Sequence, residues 1–423
     1  MRIKKLELKN FRGFEELTID FPEGESGLAV FVGVNGAGKS SILDGIKVGL
    51  KVVQEGLKKS ENERFGSWIE EDDVRTVANE IGSKTSYEKQ NDHRVAITGY
   101  LDGKEVSWHL HKNGGNKDDV TPVTNKLKSE TSEGSKNELP VLLYYSALRY
   151  WPKHKDKIEL YPIGSRLDTY IDCLNPSIST QILYEWFKRM MFIQFESDDG
   201  ELPIELKEVR NAVTEGLKSL SRFSNKKISI KFSVKNDEIE INTGDGKIEL
   251  FRLLSDGLRI TLGMIGDIAY RMSEINPHIG NNSKGVVLID EIDLHLHPSW
   301  QREIIPVLRK TFPNIQFIVT THSPQVISTL KKENVFILND FKLIKDTPHT
   351  FGRDSNSILW DIFGVEKRPP ESKLEFEKLY RLMDDPDKIK ETEDMLRDIE
   401  EKYGYYDEEV IRARGQFEFL NED

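Results

Sequence analysis

One octapeptide limits the fold of this chain more than any other feature. Gly33-Val34-Asn35-Gly36-Ala37-Gly38-Lys39-Ser40 fits G-x-x-x-x-G-K-[ST] at every position. An apolar run, Leu28 to Val32, leads into it, and a helical pattern follows to about Leu57. Strand, glycine-rich turn and helix in that order make a phosphate cradle. Backbone N–H groups must converge on phosphate oxygens, which needs glycine wherever a side chain would block the approach. The helix N-terminus adds a favourable dipole. Lys39 is placed to reach the terminal phosphates and the Ser40 hydroxyl to ligate Mg²⁺. Gly33, Asn35, Gly36, Ala37, Gly38 and Ser41 complete the expected phosphate-binding set.

Two further strand ends carry what such a cradle needs. Val286-Val287-Leu288-Ile289-Asp290-Glu291 is an apolar run ending in two carboxylates. A buried strand of this kind delivers Asp290 to the Mg²⁺ shell and leaves Glu291 to polarise a water in line with the γ-phosphate. Phe317 to Val319 is followed by Thr320-Thr321-His322-Ser323, which sets His322 at a strand end to hold the attacking water. Taken singly, these are a core strand with a solvated turn and a satisfied histidine. Their position behind the P-loop favours chemistry.

Leu254-Ser255-Asp256-Gly257-Leu258 opens a helix running to Met272. Ser255 suits an N-cap, and equally a second phosphate-contacting helix end used in trans, against ATP on another subunit. His295 and His297 have neither a nearby Cys nor a third ligand of evident spacing, so a metal pair is not expected there.

Charge narrows the partners. The formal balance of the 423 residues is −12, which argues against coating nucleic acid by charge alone. Phe351 to Asp423 holds 21 acidic and 12 basic residues, so most of the excess is in a C-terminal tail. Small basic clusters remain at Arg149, Lys153, Lys155 and Lys157 and at Lys226, Lys227 and Lys231. The single Cys173 excludes an internal disulfide and a multi-Cys zinc module, as suits a reducing cytosol. No run approaches the roughly 18 apolar residues of a membrane span. No apolar segment of the signal-peptide kind follows Met1 to Lys5. A soluble cytoplasmic protein with no membrane partner is expected.

Elsewhere, alternating residues predict a strand pair over Ile3 to Phe21, two strands around Asp102-Gly103, and strands at Val141 to Tyr145, Ile228 to Val234, Glu238 to Ile241 and Val335 to Leu338. Residues 58 to 90 read as loops and Asn113 to Asn137 as a mobile loop. Tyr150 to Lys226 reads as helical, with Tyr184, Phe187 and Met191 on one spacing and Leu206, Val209 and Val213 on another. Pro298 to Lys310 reads as one helix, and the tail from Ser355 as three or four short charged helices.

In combination these pieces resemble the ABC-type ATPase heads of the branch that holds RecF, the SMC and Rad50 proteins and the OLD family. The residues that carry the likeness are Asn10-Phe11-Arg12-Gly13-Phe14, Gly33 to Ser40, Leu254 to Leu258, Asp290-Glu291 with Leu294-His295-Leu296-His297-Pro298, and Thr321-His322-Ser323-Pro324. The resemblance implies an α/β P-loop head with a mixed N-terminal sheet, a parallel core sheet, a helical insertion and a helical C-terminal tail. It implies ATP and Mg²⁺ as ligands, Lys39 and Ser40 as Walker A, Asp290 as Walker B, Glu291 as general base and His322 as switch histidine. Ser255, Asp256 and Gly257 would be the signature that completes a partner's site, and Arg12 would lie near the nucleotide. The signature lacks the family's second Gly and its Gln, and no Q-loop Gln follows the strand Val141 to Tyr145.

The span from Arg149 to Leu254 is too short for the long coiled coils of SMC and Rad50, and the tail is short for the nuclease domain of OLD proteins. Asp168-Thr169-Tyr170-Ile171-Asp172-Cys173-Leu174-Asn175-Pro176 with Glu185-Trp186-Phe187, and Phe351 to Leu359, are similar to the ATPase subunits of Septu anti-phage systems, the PtuA family also found with certain retrons. That likeness implies a homodimer or higher oligomer controlling a companion HNH endonuclease on DNA, the chain itself being no nuclease. The expected domains are an ATPase lobe over 1–149, a helical insertion over 150–226, a second ATPase lobe over 227–350, and a partner-docking tail over 351–423 with Leu374, Leu379 and Leu382 on one face. A RecF-like DNA clamp or loader without a nuclease is the alternative, and an ATPase with a non-DNA client is a third.

Overall fold

The chain was described in a computed structural model over residues 1–22, 27–58, 68–81, 84–111, 114–147, 165–175, 186–190, 193–194, 202–219, 228–233, 235–236, 238–242, 244 and 247–421. Alternation shapes its beginning. Strand β1 (Arg2–Phe11) buries Ile3, Leu6 and Leu8 and pairs antiparallel with β2 (Phe14–Asp20). Strand β3 (Ala29–Val32) then enters the helix Lys39–Leu57. The hairpin β4 (Thr76–Ile81) and β5 (Lys84–Lys89) occupies part of the stretch expected to be loop. Thr76, Ala78 and Asn79 on one strand and Thr85 to Lys89 on the other are exposed, so no hydrophobic alternation announces it. Strands β6 (Arg94–Leu101), β7 (Lys104–His111) and β8 (Gly114–Asn116) complete a five-stranded sheet in the order β2-β1-β6-β7-β8, antiparallel throughout.

The expected mobile loop over Asn113 to Asn137 instead contains β8 and a helix, Val120–Ser132. Val120, Val123, Thr124 and Leu127 are buried at helical spacing, which holds a Lys/Ser/Thr-rich segment in order.

The core sheet draws on the whole chain. It comprises β3, β9 (Val141–Tyr145), β13 (Gly285–Ile289), β14 (Ile315–Thr321), β15 (Val335–Asn339) and β16 (Lys342–Ile344), in the order β16-β15-β3-β14-β13-β9. All pairings are parallel except that of the edge strand β16. Every residue of β3, β9, β13 and β14 is buried, as expected of parallel strands covered on both faces. A smaller antiparallel sheet holds β10 (Ser229–Ser233), β11 (Glu238–Asn242) and β12 (Ile248–Leu250).

Gln316 joins the two large sheets. Its buried amide accepts from the Ile3 N–H at 2.7 Å and donates to the Ile3 carbonyl at 2.9 Å, at the bulge between Ile3 and Lys5. The side chain thus satisfies both backbone groups of Ile3 from β14.

Helix Ile204–Ser219 buries Leu206, Val209 and Val213 as their spacing predicts. Tyr184, Glu185 and Met191 lie outside the described residues. The segment Pro298 to Lys310 is two helices, Pro298–Gln301 and Ile304–Thr311.

Two compact units result, Met1–Ile358 and Leu359–Asp423. The second packs helices Pro370–Met383, Ile389–Tyr403 and Glu408–Leu420 around Phe376, Leu379, Met383, Leu396, Ile399, Val410 and Ala413. Leu374, Leu379 and Leu382 do not form one exposed face. Leu379 and Leu382 are buried, and only Leu374 faces solvent. Leu379 belongs to the unit's own core. No described helix is long and apolar enough to cross a membrane.

Candidate active site

The glycine-rich loop lies between β3 and the helix Lys39–Leu57. Gly33, Gly36 and Gly38 have φ of 151°, 80° and 99°. The last two are left-handed values that favour glycine. Gly33 is needed for space, since a Cβ there would meet the Leu338 carbonyl oxygen at 2.3 Å. Val34, Asn35, Gly36 and Ser40 are exposed, Ala37 and Gly38 are buried, and Ser41 is half-buried.

Lys39 is buried, and its ammonium donates to the carbonyls of Gly33 and Val34, each at 3.0 Å. Burial lowers its pKa, while Asp290, Glu291 and Asp293 work to raise it. Three acidic residues from the end of β13 therefore face the lysine electrostatically.

Asp290 follows the last residue of β13, and its own N–H donates to the Tyr145 carbonyl at 2.8 Å. Ser40 Oγ donates to Asp290 Oδ1 at 3.1 Å, across 250 residues of sequence. Thr320 Oγ1 donates to the same oxygen at 2.6 Å and accepts from the Glu291 N–H at 2.7 Å. One hydroxyl on β14 thus fixes the carboxylate of Asp290 and the backbone of Glu291 together. Glu291 has a left-handed φ of 48°, which turns the chain away from the strand direction immediately after Asp290.

His322 is half-buried. Burial lowers its pKa, Lys39 lowers it further, and Asp293, Glu291 and Asp290 oppose. The imidazole is thereby held neutral near pH 7. Its loop is fixed on both sides. Thr321 donates to Asp293, and Ser323 donates to Gln301 Oε1 at 2.7 Å while accepting from the N–H groups of Gln325 and Val326. Gln301 Nε2 reaches the Leu296 carbonyl at 3.1 Å. Thr320, Asp293 and Gln301 were not singled out from the sequence. The first two stand beside motif residues, which is the signal that could have found them.

The Ser255 group is placed differently. Ser255 and Asp256 are exposed at the start of the helix Asp256–Ile275, and Ser255 makes no side-chain cap bond. Asp256 pairs with Arg259. Gly257 packs against the other motif, because a Cβ there would stand 2.1 Å from the His295 carbonyl oxygen. His297 accepts from the Ser299 N–H as the cap of helix Pro298–Gln301.

Arg12, with φ of 51°, donates from Nε to Asp73 at 3.0 Å and from Nη1 to Asp44 at 2.5 Å. Burial works to lower its pKa, and Asp44 and Asp73 more than offset that. Asp44 lies one turn beyond Ser40 on the P-loop helix, so Arg12 reaches that helix through a carboxylate.

Deeper in the same unit, Tyr145 connects Asp290 to the Asp256–Ile275 helix. Its carbonyl accepts from Asp290, and its hydroxyl donates to Asp267 at 2.6 Å. Asp267 pairs with the buried Arg271, which also donates to the Thr169 carbonyl at 3.2 Å. The Asp168 to Asn175 stretch thus braces this helix. It also braces the P-loop helix, through Gln54 on the Tyr170 carbonyl at 2.7 Å. Of the basic clusters, Lys231 pairs with Glu240 at 3.3 Å; Arg149, Lys153, Lys155, Lys157, Lys226 and Lys227 lie outside the described residues, as do Pro176 and Glu185.

Ser40 and Asp290 offer a hydroxyl and a carboxylate, oxygen donors that suit a hard cation such as Mg²⁺, which takes its other ligands from phosphates and water.

Known proteins resemble this chain along most of its length. The family described as AAA domain matches residues 5–240, and the family described as AAA domain, putative AbiEii toxin, Type IV TA system, matches residues 185–328. The retron Ec83 probable ATPase of Escherichia coli is 28% identical over 88% of this chain and 78% of its own length. The Septu protein PtuA of Bacillus thuringiensis is 28% identical, over 89% of this chain and 88% of its own. Among solved structures, the SMC head domain from Thermotoga maritima aligns with 82% of this chain and 100% of that one, at 17% identity and a TM-score of 0.42.

Proposed function

This chain belongs to the AAA-domain family, and from that premise we propose that it is the ATP-binding and ATP-hydrolysing regulatory subunit of an anti-phage defence complex, controlling an associated HNH endonuclease that acts on DNA. The observation that carries the reading is the convergence of Ser40, Asp290, Thr320 and the Glu291 backbone behind the P-loop lysine.

In this reading the loop from Gly33 to Ser41 binds the phosphates, and Lys39 neutralises charge on the terminal ones. Ser40 and Asp290 would hold Mg²⁺, which supplies charge neutralisation on the β- and γ-oxygens. Glu291 accepts the proton of the attacking water. The neutral imidazole of His322 orients that water or the γ-phosphate, and a depressed pKa favours an uncharged hydrogen-bonding group. Arg12 acts on the nucleotide side through its bridge to Asp44.

Two heads would sandwich ATP, each P-loop facing Ser255, Asp256 and Gly257 of the other. ATP can favour the closed pair only by binding it better than the open one, and an exposed helix start is the element that gives such a difference. The domain plan of two ATPase lobes around a helical insertion, with a partner-docking tail, belongs to the same proposal. Exposed Trp360, Tyr406 and Phe419 in the acidic second unit support the docking role.

Affinity purification from the native gene neighbourhood, with mass spectrometry of what co-purifies, tests the proposal. A stoichiometric HNH subunit, lost on removing residues 359–423 while ATP binding survives, is the expected result. A homo-oligomer without a nuclease overturns the defence-regulator reading.

A further inference from the structure

A turn close to the far end of the first unit backs the phosphate loop. Strands β15 and β16 pair Asn339 with Lys342, which makes Asp340-Phe341 a two-residue hairpin loop. Both residues are left-handed, with φ of 44° and 56°. That is the type I′ turn, which demands positive φ at both central positions and is met most cheaply by Asn-Gly or Asp-Gly. A phenylalanine there is strained by about 1–2 kcal/mol. An aromatic residue held in that conformation calls for a reason.

The reason lies in what Phe341 touches. Its ring occupies the space that a Cβ would take at Gly38, 2.7 Å away, and at Gly13, 2.2 Å away. It meets the Phe14 ring edge-on at 5.2 Å. Its backbone N–H donates to the Ala37 carbonyl at 3.2 Å. One residue therefore fastens the Asn10–Phe14 turn to the P-loop, and the glycine in each is the clearance for its ring.

The hydrogen bond has a directional consequence. In a trans peptide the C=O and N–H point in opposite directions. With the Ala37 carbonyl drawn toward the hairpin, the N–H of Gly38 faces away from it. The hairpin already fills the near side, where Leu338 lies against Gly33 and Phe341 against Gly38. The open side of the loop, where Val34, Asn35 and Gly36 are exposed, is what remains.

We propose that Phe341 is a positioning residue for phosphate binding: its N–H and its ring hold the Ala37–Gly38 peptide with the Gly38 N–H directed at the nucleotide. It does not touch ATP. The proposal rests on the ATP-binding reading of the P-loop.

Two changes separate its parts. Phe341→Gly keeps the N–H, relieves the left-handed strain and removes the ring. Replacing the 341 amide by an ester, with phenyllactic acid introduced by nonsense suppression, keeps the ring and removes the N–H. Each should weaken ATP binding about tenfold, since small displacements of positioning groups have effects of that order or more. ATP dissociation constants are read by calorimetry well below the melting temperature, where a merely structural role would leave the folded protein's affinity unchanged. Phe341→Tyr should restore wild-type affinity. Wild-type affinity in both the Gly and ester variants overturns the proposal, as does a Phe341→Tyr variant as weak as Phe341→Gly. Lys39→Ala is the control: if it binds ATP as well as wild type, the P-loop reading itself fails, whereas its loss of binding beside intact Phe341 variants sinks only this inference.

Discussion

The P-loop end and the Ser255 end of the first unit are built in opposite ways. Around Lys39 and Asp290, side chains from three distant segments interlock, and Thr320 alone serves two residues. At Ser255 the helix starts in solvent, and the serine that should cap it caps nothing. One end is completed within the chain. The other leaves Ser255 and Asp256 exposed. A group that binds in isolation needs the first kind of construction, and a group that acts on a second molecule needs the second.

That contrast can be broken most forcefully at the lysine. Lys39→Ala should lower ATP affinity by about 100-fold or more, measured by calorimetry, because a buried ammonium aimed into the loop has no substitute. Glu291→Gln should slow hydrolysis by about 10²–10⁴-fold in a phosphate-release assay while ATP still binds, the usual reach of a general base. Normal turnover would remove Glu291 from that role. Ser255→Arg sharpens the comparison. It should abolish ATP-dependent pairing in sedimentation experiments and leave the ATP affinity of the single chain within about threefold, since the exposed end takes no part in the cradle. An equal loss of both would show that the two ends are one site.

Asp267→Ala leaves the buried Arg271 without its carboxylate and should destabilise the protein by about 3–5 kcal/mol in urea titrations. The smallest effect is expected from His322. Its folded pKa lies below the ordinary 6.5, so between the two values the unfolded chain binds the extra proton. Stability should therefore be full above pH 6.5 and decline as pH falls below it, and His322→Gln should flatten that decline.

Continuous chemistry was legible and discontinuous chemistry was not. The runs ending at Val32, Ile289 and Val319 announce strands by composition alone, and the phosphate loop, Asp290 and Thr320 follow them directly. Thr320 is flagged only by standing beside a motif; its partners Asp290 and Glu291 are set by the pairing of β13 with β14, which no local pattern encodes. The absence of a Q-loop Gln after Tyr145 was visible, but the bond from that tyrosine to Asp267 was not. The β4–β5 hairpin escaped notice because its exposed residues give no alternation. Val120, Val123 and Leu127 did carry a helical signal, masked by the lysines and serines between them.

The position of β3 has a consequence for synthesis. It lies between β14 and β15, strands that begin at Ile315 and Val335. A ribosome that has made the phosphate loop has therefore made neither neighbour of the strand beneath it. Until Thr321 has emerged, Ala29–Val32 is an apolar segment with both edges unpaired, and one edge stays open until β15 follows; long-range parallel pairing of this kind is slow to form. Nascent chains are thus exposed to aggregation over the long interval between β3 and its neighbours, and termination before Ile315 leaves a fragment with a complete P-loop sequence and neither strand that flanks β3.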